Sequence, residues 1–146
     1  MTENSEAKRW LRLADFDLRT VRLLFSDYPI MVEEICYHCE QAVEKYLKAF
    51  LVFQGVEDLP RIHDCGRLCR LCAEYDEDFK EILASCEMFT PYSTQVRYPS
   101  DLELLESDAL HADALCVQVV SFISSKMAPD QEEKEKEEES LSPTMQ

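Results

Sequence analysis

Residues 36–53, CYHCEQAVEKYLKAFLVF, decide how this chain folds. Ile35, Cys39, Ala42, Val43, Tyr46, Leu47, Phe50 and Leu51 recur at steps of three and four. At about 100° per residue they cover one broad helical face, wide enough for the central element of a bundle. His38, Gln41, Lys45 and Lys48 keep the same spacing and form a narrow polar stripe, rotated away from the apolar centre. Gly55 follows the last apolar residues, where a helix commonly ends in a left-handed cap.

Working outward, the preceding segment predicts a helix from about Ser5 to Ser26. Its buried stripe is Trp10, Ala14, Leu18, Val21, Leu24 and Phe25, and Arg9, Arg12, Arg19 and Arg22 lie on the other side. Asp27-Tyr28-Pro29 ends it, because proline disfavours helical geometry in the residue before it. The arginines fit either a solvated face, balanced by Glu6 and Asp15, or a docking surface for an acidic partner.

Downstream of the central helix, Asp58 or Asp64 can cap a short helix whose apolar side is Cys65, Leu68, Cys69, Leu71 and Cys72. A fourth short segment, Glu77 to Cys86, carries Phe79, Ile82 and Leu83 at helical spacing. Residues 87–101, EMFTPYSTQVRYPSD, have no clear period and form a long loop, a length that is often functional in a small domain. Asp101 can cap a last helix with Leu105, Ala109, Ala112, Cys116, Val119, Val120 and Ile123 inside. No stretch alternates with period two, so the expected fold is all-α, an antiparallel bundle of four to five helices.

The 146 residues carry a formal charge of −15, concentrated towards the end. From Asp130 onward the chain is nearly all charged or polar, too poor in apolar groups to fold alone. One domain over residues 1–128 and a disordered acidic tail over 129–146 are therefore expected. The body stays acidic without the tail, which disfavours strong non-specific nucleic-acid binding and requires any anion site to be local. No apolar run of about 18 residues and no charged-then-apolar leader occur, so a cytoplasmic chain without membrane association is expected. The 7 cysteines are an odd number at largely helical positions, which reads as reduced thiols rather than a disulfide framework.

Four motifs in order then point to a family: the Arg-bearing first helix, EQAVEKYLKAFL (40–51), RIHDCGRL (61–68) and VRYPSD (96–101). The chain resembles a HEPN domain, in the branch with a Gln-Ala-x-Glu-Lys-x-Leu-Lys core helix and an Arg-Tyr-Pro-Asp loop, over about Ala7 to Ile123. The resemblance implies a helical bundle that pairs into a homodimer. It also implies partnership with a small nucleotidyltransferase in a toxin–antitoxin-like pair, and a role in nucleotide or RNA metabolism. Some HEPN proteins are metal-independent ribonucleases marked by an Arg, four to six residues, and a His. No arginine stands at that distance before His38, His63 or His111, so the ribonuclease signature is absent and no catalytic residue is assigned.

The candidate nucleotide or anion site comprises His38, Gln41, Lys45, Lys48, Arg61, His63, Arg97 and Tyr98. Lysines three residues apart can face one phosphate, arginine can add a bidentate contact, and Tyr92 or Tyr98 can stack on a base. The competing account is structural: Glu44 and Lys48 form an i, i+4 pair, and Arg97, Tyr98 and His63 pin the loop to the core. A ribonuclease with a non-standard Arg/His site and a purely structural dimeric interaction module are the other functional readings. Cys36-x-x-Cys39 and Cys69-x-x-Cys72 have zinc-like spacing but sit inside helices at apolar positions, so neither metal nor cofactor is expected.

Overall fold

The computed structural model describes residues 2–92 and 103–128. Among them are five α-helices and no strand: α1 (Thr2–Asp27), α2 (Val32–Phe53), α3 (Cys65–Tyr75), α4 (Leu83–Glu87) and α5 (Glu106–Met127). A 3₁₀ helix at Glu77–Ile82 leads into α4, and a 3₁₀ turn at Thr90–Tyr92 follows it. The all-α expectation holds. None of these helices is long and apolar enough to cross a membrane.

α2 is the axis, as its two-sided composition predicts. Ile35, Cys39, Ala42, Val43, Leu47, Phe50 and Leu51 are buried, and Tyr46 is half-buried. α1 lies antiparallel on it, since Trp10 sits over Lys48 while Asp17 reaches His38. α3 runs in the direction of α2: Cys65 donates to the Glu40 carbonyl and Cys72 to that of Leu47. α5 crosses α2 where Cys116 donates to the Cys39 carbonyl. Its far end brings Phe122 edge-on to Phe79, which packs on Phe50 with ring centroids 4.3 Å apart. Burying one such side chain contributes roughly 1.5–3 kcal/mol, so this aromatic stack is a large part of the core.

The local signals act largely as read. Asp64 is the residue that caps α3, its carboxylate accepting from the Arg67 N–H at 3.1 Å. Gly55 takes φ 95°, and the Val56 N–H returns to the Leu51 carbonyl, closing α2 in a left-handed turn. α5 departs from expectation. It begins at Glu106, well past Asp101, because the Asp108 carboxylate accepts the Leu105 N–H at 2.7 Å and ends the helix from inside its first turn. Leu105, expected inside, is exposed for the same reason.

Candidate functional site

The polar stripe of α2 does not face open solvent. α1 and the turn at residues 61–64 cover it, and its side chains enter a network of carboxylates. Asp17, buried on α1, lies 2.8 Å from Nδ1 of His38 and accepts from Nζ of Lys45 at 2.5 Å. The other ring nitrogen of His38 is 4.0 Å from Glu34 Oε2. Lys48 is buried, donates to Glu44 Oε2 at 3.0 Å, and has its ammonium 5.5 Å from the Trp10 ring centroid. His63 Nδ1 approaches the same Glu44 oxygen at 3.3 Å while its ring remains exposed.

Below this layer sits Glu40, 1% exposed. Gln41 donates to its Oε2 at 2.7 Å and the Cys65 thiol to its Oε1 at 3.7 Å. Burial first, and then the negative charge of Glu44, push the Glu40 carboxyl up to about 8. Glu40 therefore keeps its proton at neutral pH. Oε1 of Glu44 is also buried and has no hydrogen-bond partner among the described residues. A protonated Glu40 can donate to the Glu44 carboxylate next to it.

Of the eight candidates, His38, Gln41, Lys45, Lys48 and His63 are brought into one cluster. Arg61 is exposed beside it, with no ion pair among the described residues. Arg97 and Tyr98 lie outside the described residues. The Glu44–Lys48 pair weighed as the structural account is present, and it is buried. Sequence reasoning passed over Asp17 and Glu40 and read Trp10 as core alone. A run of polar side chains four residues apart, Glu40, Glu44 and Lys48, on a helix otherwise apolar was the available signal. Lys45 and Lys48 thus arrive already matched by acids, so the cluster is a compensated network and not a bare cationic pocket.

The HEPN domain family model matches residues 7–126 of the chain. The chain belongs to the HEPN domain family. The crystal structure of an archaeal HEPN homologue superposes with a TM-score of 0.64 at 23% sequence identity, covering 84% of this chain and 98% of the homologue, a likeness of fold. No curated protein matches the chain.

In this HEPN chain the two clustered histidines face carboxylates, Asp17 and Glu44. No group of three or more His, Cys, Asp or Glu is arranged to hold a metal among the described residues. A second recess, about 540 Å³, opens between α3 and α4 over Cys69, Ala73, Phe79 and Leu83. Its two rim cations are paired, Arg70 with Glu87 at 2.5 Å and Lys80 with Glu77 at 3.6 Å.

Proposed function

We propose that this HEPN chain is a binding module that meets a nucleotide or RNA phosphate at the rim of the α1–α2 cluster and acts with a small nucleotidyltransferase partner, as a homodimer in a toxin–antitoxin-like pair. The observation that carries the reading is the compensated network itself. Burying three acids and one lysine at one helix junction, with a second lysine half-buried beside them, is costly, and such groups concentrate where a protein does chemistry or binds. The solvent-facing members are His63 and, beside it, Arg61, so a phosphate is met there and at Lys45 rather than at the enclosed Lys48. Arginine offers the forked geometry that a phosphate takes.

A thermal-shift titration with mono-, di- and triphosphate nucleotides and a short RNA tests this. A ligand at about 100 times its Kd stabilises the fold by about 2.7 kcal/mol. The shift is expected in the wild type and lost in Arg61→Ala with His63→Ala. No shift with any of these ligands refutes the nucleotide part. Failure of a co-expressed nucleotidyltransferase to co-purify refutes the partnership.

A second reading, a purely structural interaction module, is favoured by one feature. Leu13, Phe16 and Leu23 are 46%, 56% and 62% exposed on the outer face of α1, beside Arg9, Arg12 and Arg19. The ribonuclease alternative requires RNA cleavage that disappears in His63→Ala, and the same preparations test it.

A further inference from the structure

The outer face of α1 carries exposed apolar side chains beside its arginines. Its four arginines are not equivalent. Arg19 pairs with Asp15 at 2.8 Å and Arg22 with Asp113 on α5, whereas Arg9 and Arg12 have no carboxylate partner among the described residues. Leu13 and Phe16 stand next to them, one turn on, so this half of α1 offers two unmatched cations flanked by exposed apolar side chains.

The chain continues for 18 residues beyond Ala128. Asp130, Glu132, Glu133, Glu135, Glu137, Glu138 and Glu139 stand against Lys134 and Lys136, and Leu141 and Met145 follow. This segment leaves α5 at the correct end of the bundle. Phe122 of α5 packs on Phe79, Phe79 on Phe50, and Lys48 of the same turn of α2 carries Trp10 of α1 above it. Extended, 18 residues span at most about 60 Å. α1 is about 39 Å long, so reach is not limiting. The body as a whole is acidic and repels the segment, so the two unmatched arginines of α1 offer it a favourable contact.

We propose that residues 130–145 dock in cis along the N-terminal half of α1, with the acidic run on Arg9 and Arg12 and Leu141 and Met145 against Leu13 and Phe16. Tethering makes the contact intramolecular, so weak ion pairs suffice, and the contact is screened by salt.

The test is the rate at which a glutamate-specific protease cuts the tail of the intact protein, normalised to a free peptide of residues 129–146 under the same conditions. Protection of about fivefold or more is expected at low salt, falling away at high salt as screening removes the ion pairs. Arg9→Glu with Arg12→Glu, both at exposed positions, should abolish it while circular dichroism stays unchanged. Leu13→Ser with Phe16→Ser should weaken it. Cutting at the peptide's rate at every salt concentration overturns the proposal, as does protection that survives the arginine reversal. Protection that rises with protein concentration puts the tail on a second copy and overturns the contact in cis.

Discussion

Glu40 makes the stability of this fold depend on pH in a direction that can be worked out beforehand. Its carboxyl is held at about 8 in the folded chain, against an ordinary value of 4.5. Between those values the native state binds a proton that the unfolded chain has released, so stability must fall as pH rises. The contribution is fully present below about pH 4.5 and is lost by about pH 8. Each pH unit is worth about 1.4 kcal/mol, so the Glu40 share of the stability drops by on the order of 4 kcal/mol between about pH 5 and pH 8.5. Other groups titrate in this range, so the comparison is with Glu40→Gln. That variant keeps the shape, offers the Glu44 carboxylate an amide donor and cannot ionise. Urea unfolding of both proteins across this range should show Glu40→Gln gaining on the wild type as pH rises, by several kcal/mol at the alkaline end. A difference that stays flat with pH would mean that Glu40 is ionised in the fold, and the argument for a shared proton would collapse.

Other substitutions probe the same junction and the helix ends. Lys48→Met strands the Glu44 charge in the interior and should cost about 3–5 kcal/mol in denaturant unfolding, with much of it recovered when Glu44→Leu is added. Asp17→Ala leaves His38 and Lys45 without their acceptor and is expected to cost about 1–3 kcal/mol by the same measurement. Gly55→Ala meets no atom within 4 Å, so only its φ of 95° opposes it, and a loss of about 1–2 kcal/mol is expected in thermal unfolding. Phe79→Ala removes the ring between Phe50 and Phe122 and should cost about 3–5 kcal/mol.

The helices were legible because their information is local. The three-and-four spacing in α2 names the residues that end up inside, and Asp64 and Gly55 mark boundaries through their own backbone chemistry. The segment at 77–87 reads as helical but splits into 3₁₀ and α pieces, which spacing alone does not resolve. α5 shows the limit of cap signals, since Asp101, the expected cap, lies outside the described residues and the helix starts at Glu106, with Asp108 closing its first turn from the third helical position. The site was half legible. His38, Lys45 and Lys48 stood out as a polar stripe on an apolar helix. Their partner Asp17 did not, because it lies 21 to 28 residues away and its role exists only once α1 lies across α2. Glu40 was hidden for a different reason. A glutamate beside a glutamine reads as surface, and its neutral state is created by burial together with Glu44.

All seven cysteines are free and buried, and they are spread over every helix except α1: two on α2, three on α3, one on α4 and one on α5. The molecule therefore carries built-in clocks for its own breathing. A thiol reagent reaches each sulfur only when the helix covering it lifts, so the order in which the seven become modified under native conditions is a map of which helix opens first and at what free energy. If α5 detaches ahead of the rest, Cys39 on α2 and Cys116 on α5, which meet across that junction, are the thiols placed to report it, while the α3 thiols stay silent.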